Sequence, residues 1–396
     1  MLNQEQVQRY VEDGYLILRN AINEETIERL ERGVANNPPL DQTLDPYAPV
    51  YPAPGRYTLA TQAPADPDLG FIIEHPTIVH GAETLLDDEI VLTAYVIYDR
   101  TPKGSGLGAH HDYKRWRPVG SSMRWLFAIV PFCDYNEETG QLFIAPGSHL
   151  LDRIHTGSGR CLEVSPAVKP EPENFIDPQL RRGDLLFMNM HLWHKAAPNL
   201  STHHRVGLFN KYAAASHPPA TGYYLFNNKV ADNLSPEGRK LIAVHSDLDI
   251  LTTRTLLLRK SKSEWEVYLQ KNDAGQNELP GGEVWQERAI PDWDLGNHIA
   301  PAQSYLREQV QIETPWLSYV GDFAEGDGLC RLYAYELNDN GFPVPFDGCW
   351  VGKDGLNDLQ SAHPWITQAL ATWLDESITR GKGVSQGAAR VDQFAY

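Results

Sequence analysis

The segment RRGDLLFMNMHLWHKAAPNLSTHHRVGLFNKY, residues 181–212, contains two apolar runs of strand length, GDLLFMN and RVGLFNKY. Similar runs occur upstream at residues 89–98, 123–132 and 140–146, and turn-forming Gly, Pro, Asp and Asn residues separate them. Short strands that repeat in this way, with no helical pattern between them, are typical of an antiparallel sandwich or barrel. The sequence therefore predicts a β domain from about residue 90 to residue 215.

Helical patterns flank this β region on both sides. The chain opens with two predicted helices, over residues 4–12 and from Asn23 onward. Residues 235–251 are also predicted to be helical, and a second set of strands follows them. A last amphipathic pattern, HPWITQALATWLDESI, predicts a closing helix.

The length of the chain and the change of pattern indicate two domains. The chain has 396 residues, of which 42% are hydrophobic, so a full core can form in each domain. We place the boundary near residues 230–245. The predicted domains are residues 1–235 and residues 245–396.

Charge and cysteine spacing narrow the classes of partner. The formal net charge is −18, whereas nucleic acids and anionic membranes select basic surfaces. The four cysteines lie far apart with no C-x-x-C pair, which argues against a structural zinc site and a disulfide scaffold. We expect a cytoplasmic protein that acts on a small molecule, with no nucleic-acid or membrane partner. A homo-oligomer stays open.

His110 and Asp112, in the stretch AHHDY, have the spacing of two metal ligands on one strand. Side chains at positions i and i+2 of a strand project to the same face, so these two point together and His111 points away. One imidazole and one carboxylate, open to a third ligand, form the start of a facial 2-His-1-carboxylate iron site. Because the same spacing occurs by chance in many chains, the pair needs partners elsewhere in the domain.

His194 and Arg205 supply the missing groups. His194 comes just after one apolar strand, and Arg205 follows eleven residues later on the next strand. An iron oxygenase needs a second histidine and a cation for the distal carboxylate of a 2-oxo acid. Arginine suits the second role because its planar guanidinium pairs bidentately with carboxylate and keeps its charge.

The order of these motifs resembles the phytanoyl-CoA dioxygenase family of Fe(II)/2-oxoglutarate oxygenases. The similarity is carried by the H-x-D pair, by TGQLFIAPGSH (residues 139–149), and by GDLLFMNMHLWHKAAPN (residues 183–199) with the arginine that follows it. It covers roughly residues 5–215, including the opening helical segment.

The resemblance implies a mainly β fold with flanking helices, built around a double-stranded β-helix (a cupin-like jelly roll). It also implies that His110, Asp112 and His194 bind Fe(II), that Arg205 binds 2-oxoglutarate, and that O2 is the second co-substrate. Members of the family often have a hydroxyl residue two positions after the distal histidine. Here that position is Ala196, so a second contact to the co-substrate has to come from elsewhere.

Asp112 also indicates the type of reaction. Related halogenases carry a small residue at this position, which leaves a coordination site for chloride. With the carboxylate present, hydroxylation or another outcome of hydrogen abstraction is favoured, with release of succinate and CO2.

Three basic residues, Lys114, Arg115 and Arg117, follow the H-x-D pair directly. They form either a solvated charged loop or a surface that faces an anionic substrate just outside the iron. Both interpretations stay open from the sequence.

The second half of the chain resembles a Nudix domain that has lost its metal ligands. WEVYLQKNDAGQNELPGGEVWQE (residues 265–287) matches the strand and the LPGG turn of that family, and Arg307 and Glu308 match its Arg-Glu pair. The family needs clustered glutamates to hold Mg²⁺, but Gln311 and Ile312 stand where paired glutamates would follow. The resemblance implies a degenerate α+β Nudix-like domain used for packing, dimerisation or shaping the substrate entrance.

The sequence thus predicts an Fe(II)- and 2-oxoglutarate-dependent dioxygenase of a small-molecule metabolite. One alternative is a Nudix-type hydrolase of a nucleoside diphosphate compound, which depends on Glu308. The other is a non-catalytic metal- or ligand-binding protein on the same scaffold. The complete set of iron ligands, together with Arg205, counts against that second alternative.

Overall fold

The computed structural model describes most of the chain, and its helices and strands are numbered here in chain order. The described residues are 2–37, 56–60, 63–112, 124–151, 154–157, 161–164, 169–216, 223, 225–261, 264–284, 299–312, 317–337, 348–352, 356, 363–370 and 373. The helices are α1 Gln4–Asp13, α2 Glu24–Asn36, α3 Pro67–Gly70, α4 Pro76–Leu86, α5 Asn228–Asp232 and α6 Ile299–Val310. Within these residues, no helix has the length and apolarity that a membrane crossing requires.

The strands of the first half are β1 Tyr15–Leu18, β2 Arg56–Ala60, β3 Ile90–Ala94, β4 Val96–Arg100, β5 Leu107–His110, β6 Trp125–Pro131, β7 Leu142–Ile144, β8 Ile154–Gly157, β9 Cys161–Val164, β10 Leu185–Asn189, β11 His194–Ala196, β12 Arg205–Ala214 and β13 Leu225–Phe226. Those of the second half are β14 Val244–His245, β15 Ile250–Ser261, β16 Glu264–Lys271, β17 Asn277–Glu278, β18 Gly281–Glu283, β19 Ser318–Glu325, β20 Gly328–Leu337 and β21 Cys349–Val351. The expected mainly β chain with flanking helices is confirmed.

The first helices begin where their caps predict. Asn3 caps α1 through a complete capping box with Gln6, and Gly14 ends the helix in the left-handed conformation. Asn23 caps α2 by accepting a hydrogen bond from the Thr26 amide. The predicted opening helices are therefore confirmed.

Two antiparallel sheets face each other in the first half. The larger sheet has the order β1-β10-β6-β12-β4-β2, with β3 also paired to β12, and the smaller sheet has the order β5-β11-β7. The sheets approach where Phe127 of β6 lies 6.4 Å from the ring of His194 on β11. This arrangement fits the predicted jelly roll and places the inner faces of both sheets around one central space.

Helices cover the outer face of the larger sheet. The hydroxyls of Tyr95 and Tyr212 donate to the carbonyls of Leu69 and Ile73, respectively, in the helical segments below. Gly81 lets α4 approach the sheet closely, because a β-carbon there would lie 2.3 Å from the ring of Phe187. Tyr212 of β12 points toward these helices, so the residues that alternate with it on β12 point to the opposite face of the sheet, into the space between the two sheets.

The second half contains a mixed sheet with helices on both faces. Its order is β17-β16-β15-β20-β19, with β18 on β15 and β21 on β16, and β15 runs parallel to β20. Leu257 packs with α6 on one face, whereas Leu256 and Leu258 pack on the other face with the helical residues 366–370. The α+β architecture of this half is therefore present.

The predicted helix over residues 235–251 is wrong. Only a single 3-10 turn, Gly238–Leu241, forms there, and strands β14 and β15 follow it. Pro236 and Gly238 oppose a longer helix. The later residues gain more from pairing, because β14 adds to β13 and β15 is central in the second sheet.

Candidate active site

Three potential metal ligands meet between strands β5 and β11. His110 ends β5 and lies directly opposite His194, the first residue of β11, with ring centroids 4.3 Å apart. Asp112 follows two residues later, and its Oδ1 is 3.4 Å from His110 Nε2. One ligand atom from each of the three lies within 4.8 Å of the others. Antiparallel pairing thus joins a local H-x-D pair to a histidine 82 to 84 residues away in the chain.

Backbone carbonyls orient both imidazoles. His110 Nδ1 lies 2.7 Å from the Gly108 carbonyl, and His194 Nδ1 lies 3.0 Å from the Leu192 carbonyl. When Nδ1–H donates to a carbonyl, the lone pair of the ring is on Nε2, which is the atom left to coordinate a metal. His111 points elsewhere and packs edge-on against Trp193, with centroids 4.9 Å apart.

The charge states of the buried ligands suit metal binding. Burial raises the pKa of Asp112, but the nearby charge of Lys211 and the neighbouring imidazoles of His110 and His194 outweigh it and hold that pKa well below its usual range. Burial, followed by repulsion from His110, lowers the pKa of His194 to about 4. At neutral pH the site therefore offers an ionised carboxylate and a neutral imidazole, the forms that bind metal.

Arg205 lies at the start of β12 with a buried guanidinium. Its side chain stacks on the ring of Tyr135, 3.6 Å from the ring centre, and the residue is 3% exposed. Its Nε and Nη2 are buried and find no hydrogen-bond partner among the described residues. Buried N–H donors without acceptors are costly, so this guanidinium is suited to bind a carboxylate, whose oxygens would accept its hydrogen bonds.

Two residues of this site, Tyr135 and Lys211, were not predicted from the sequence. Lys211 lies six residues after Arg205 on β12, and its Nζ is 3.5 Å from Asp112 Oδ2. The period-two pattern of RVGLFNKY would have placed Lys211 on the same face as Arg205. Tyr135 lies in a loop after β6, and no spacing rule marks it.

The other predicted site residues, Lys114, Arg115 and Arg117, lie outside the described residues. His149 packs beside Gly14 and its Nε2 is 3.1 Å from the Val11 carbonyl, so its role is in local packing. His204 pairs with Asp99 on the outside of the sheet.

Comparison with known proteins agrees with this geometry. The sequence profile of the phytanoyl-CoA dioxygenase (PhyH) family matches residues 10–207, which is half of the chain. The chain belongs to the phytanoyl-CoA dioxygenase family. The expected enzyme class is thereby confirmed: it is an Fe(II)- and 2-oxoglutarate-dependent dioxygenase, with O2 as the second co-substrate.

Individual relatives of this dioxygenase are distant. It is 25% identical over 253 residues to an ectoine dioxygenase of Bordetella bronchiseptica, which covers 56% of this chain and 79% of the relative. It is 24% identical over 162 residues to the dioxygenase andF of Emericella variicolor, and the match covers 40% of this chain and 48% of the relative. A solved structure of EctD from S. alaskensis with 2-oxoglutarate and 5-hydroxyectoine is 20% identical, with a TM-score of 0.45 over 55% of this chain and 78% of EctD.

The donor set fits the group that this enzyme class uses. Two imidazole nitrogens and one carboxylate oxygen, close enough to share an ion, are the ligands of the 2-His-1-carboxylate iron sites. The partnerless N–H groups of Arg205 match the acidic end of 2-oxoglutarate.

The hydrolase alternative receives no support from the second half. Glu308 is 59% exposed, accepts a hydrogen bond from Ser304 and lies 3.9 Å from Arg307. Within the described part of the chain, the His110, Asp112 and His194 cluster is the one group of such side chains placed to share a metal ion. A Mg²⁺-dependent hydrolase is therefore not favoured.

Proposed function

We propose that His110, Asp112 and His194 bind the Fe(II) of this dioxygenase and that Arg205 binds the distal carboxylate of 2-oxoglutarate. The observation that carries the proposal is the meeting of the three ligand atoms within 4.8 Å, on the inner side of the same two-sheet domain that buries Arg205. Each residue type matches its role by charge and donor chemistry.

Each side chain has a defined task. Asp112 contributes its Oδ1 beside His110 Nε2, while carbonyl-bound Nδ1 atoms hold both imidazoles in one orientation. Bound Fe(II) supplies the activation of O2, coupled to decarboxylation of 2-oxoglutarate to succinate. Because Asp112 occupies a ligand position, the outcome is hydroxylation or another oxidation that begins with hydrogen abstraction from the substrate.

Aromatic side chains form an apolar wall next to the site. Phe127 and Phe209 lie 6.5 Å apart, and Tyr98 packs on Phe209 at 5.0 Å. Such a wall excludes bulk water and strengthens the electrostatic interactions of the neighbouring ligands and cations.

Tyr135 compensates for the alanine that follows the distal histidine. Ala196 has no hydroxyl to offer the co-substrate, whereas the ring of Tyr135 stacks against the guanidinium of Arg205 and fixes its orientation. We assign Tyr135 the positioning of Arg205 in place of a second hydrogen bond to 2-oxoglutarate.

The substrate is proposed to be a small molecule, and ectoine is the first compound to test because an ectoine dioxygenase is among the relatives. The oxygenase domain is proposed to comprise residues 1–235. Residues 245–396 are proposed to form a Nudix-like scaffold without hydrolase activity.

The test is anaerobic addition of Fe(II) and 2-oxoglutarate, followed by the visible metal-to-ligand charge-transfer band. We expect the band in the wild type, its loss in His110→Ala and Asp112→Ala, and a much higher 2-oxoglutarate requirement in Arg205→Ala. His111→Ala is the matched control, because its imidazole faces Trp193, and it should retain the band. A wild type without the band, or an unchanged band in Asp112→Ala, would refute the assignment.

A further inference from the structure

Gly207 is a glycine in the interior of β12, where the strand is paired on both sides. It lies opposite Tyr98 of β4 and Pro131 of β6, and both registers are regular across it. A glycine weakens a strand, because it loses much conformational freedom on folding and offers no side chain to pack. Its φ angle is not positive, so the backbone does not require a glycine here. Close approach by another group is the physical reason that remains.

The group that approaches Gly207 is the hydroxyl of Tyr135. A β-carbon added at residue 207 would lie 2.1 Å from the Tyr135 hydroxyl oxygen. The next nearest atoms, in the ring of Phe209 and the carbonyl of Val130, would be 3.1 and 3.3 Å away. The first distance is a severe overlap, whereas the other two are tight contacts. The missing side chain of Gly207 therefore forms a slot that the hydroxyl of Tyr135 occupies.

The loop that carries Tyr135 is held by its backbone. The Tyr135 amide donates to the Leu180 carbonyl at 2.9 Å, and the Phe132 amide donates to the Val206 carbonyl at 3.0 Å. Tyr135 is also only 2% exposed. Because the backbone is held and the side chain is enclosed, a collision at the hydroxyl would be relieved mainly by rotation of the ring. Such a rotation would tilt the ring out of its stack with Arg205, whose guanidinium lies 3.6 Å from the ring centre.

This stacking leaves the hydrogen-bonding edge of Arg205 open. An aromatic ring covers the face of a guanidinium, whereas the N–H groups lie in the guanidinium plane. Nε and Nη2 form one edge of that plane, and both are buried with no hydrogen-bond partner among the described residues. Two parallel N–H groups on one edge match the two oxygens of a carboxylate. The orientation of the Tyr135 ring thus sets the direction in which this edge points.

We propose that Gly207 is a positioning residue for 2-oxoglutarate. It provides the slot for the Tyr135 hydroxyl, and the ring seated in this way orients the guanidinium of Arg205. This inference rests on the proposed function, in which Arg205 binds the distal carboxylate of 2-oxoglutarate. It adds that a side chain at residue 207 is excluded by the co-substrate site and not by the geometry of the strand.

Gly207→Ala tests the slot. 2-Oxoglutarate is titrated into the anaerobic Fe(II) protein while the charge-transfer band is followed, and far-UV circular dichroism checks the fold. We expect the dissociation constant for 2-oxoglutarate to rise about tenfold, the effect of losing a desolvated cation–π contact. The band should still form at saturating 2-oxoglutarate, because the three metal ligands are unchanged.

Changes at Tyr135 distinguish positioning from a general effect on the strand. Tyr135→Phe removes the atom that the new methyl group overlaps, so Gly207→Ala/Tyr135→Phe should bind 2-oxoglutarate within about threefold of Tyr135→Phe alone. Tyr135→Leu removes the ring, so Gly207→Ala should cause no further loss of affinity in that background. An alanine that only weakened β12 would give neither result.

Gly81→Ala is the control for loss of stability. Its β-carbon overlaps the ring of Phe187 on the opposite, helix-covered face of the same sheet. It should therefore destabilise the protein and leave the affinity for 2-oxoglutarate unchanged. If Gly207→Ala does not fold, Gly207→Ala/Tyr135→Phe carries the test, because the inference requires that double variant to fold and to bind 2-oxoglutarate.

Three outcomes would overturn the inference. The first is equal affinity for 2-oxoglutarate in Gly207→Ala and the wild type. The second is a double variant with Tyr135→Phe that does not regain the affinity, and the third is additive losses in the double variant with Tyr135→Leu. Failure of the proposed function is distinct, because the charge-transfer band would then be missing in the wild type, and both proposals would fall.

Discussion

The guanidinium of Arg205 lies 3.6 Å from the centre of the Tyr135 ring, and both residues are buried. The two are 70 positions apart in the chain, yet the aromatic face fixes the orientation of the cation that is proposed to bind 2-oxoglutarate. Burial raises the pKa of Tyr135 to about 12 although the charge of Arg205 opposes the rise, so the phenol stays neutral at physiological pH.

Replacing Tyr135 tests this stacking. Tyr135→Leu should weaken 2-oxoglutarate binding about tenfold, because a desolvated cation–π contact contributes roughly 1–2 kcal/mol. Tyr135→Phe keeps the ring and should bind almost as the wild type, since the hydroxyl makes only a long, 3.4 Å hydrogen bond to Val206. Titration of 2-oxoglutarate into the anaerobic Fe(II) protein gives both affinities. Equal affinities in Tyr135→Leu and the wild type would contradict the positioning role.

Stability of the metal-free protein should rise with pH through the range set by His194. Its folded pKa is about 4, against an ordinary value of 6.5, so the unfolded chain binds more protons between these values. The neutral His194 thus contributes about 3 kcal/mol to the free energy of unfolding. This contribution is complete above the pKa of histidine in the unfolded chain, and it is lost as the pH falls toward the pKa of His194 in the folded protein. Asp112, with its lowered pKa, acts in the same direction at lower pH.

Urea unfolding after metal removal, between pH 4 and 7, measures this dependence. His194→Gln should flatten it, because the amide does not titrate. His80→Gln, at a site 71% exposed, should keep the slope of the wild type. The same slope in His194→Gln and the wild type would show that other groups cause it.

The packing of α4 on the larger sheet depends on Gly81, which has no side chain to collide with the sheet. Gly81→Ala should lower the free energy of unfolding by about 1–3 kcal/mol, since the new methyl group overlaps the Phe187 ring and forces the helix outward. Gly108→Ala is the control, because nothing lies within 4 Å of its added β-carbon. If both variants unfold at the same urea concentration, the close contact between α4 and Phe187 would be contradicted.

A buried ion pair ties β19 to β20 in the second sheet. Arg331 and Asp322, exposed by only 3% and 2%, are 2.8 Å apart, and Arg331 also donates to the Tyr223 carbonyl. Asp322→Ala should cost about 3–5 kcal/mol, because it leaves a buried cation without its partner. Glu237→Ala is the control: it breaks the surface ion pair with Lys240, where both side chains are more than 70% exposed. It should leave the temperature of thermal unfolding unchanged. Calorimetry compares the two variants.

Local patterns predicted much of the fold correctly. The capping box at Asn3 and Gln6, and the stop at Gly14, depend on neighbours within one helical turn, and the structure has all three. The prediction failed at residues 235–251, where an amphipathic pattern was outweighed by pairing with strands far away in the chain. Segment-level patterns do not contain the energy of such pairing.

The amino-acid sequence by itself determined the chemistry available to this dioxygenase: an H-x-D pair, a later histidine and arginine in family order, and strands whose alternation sends alternate side chains inward. Only the tertiary structure decided that Lys211 lies against Asp112 and that Tyr135 lies under Arg205. The physical reason is that alternation acts between neighbours two residues apart. Contacts across 70 or 99 residues depend instead on sheet register and on how the two sheets pack.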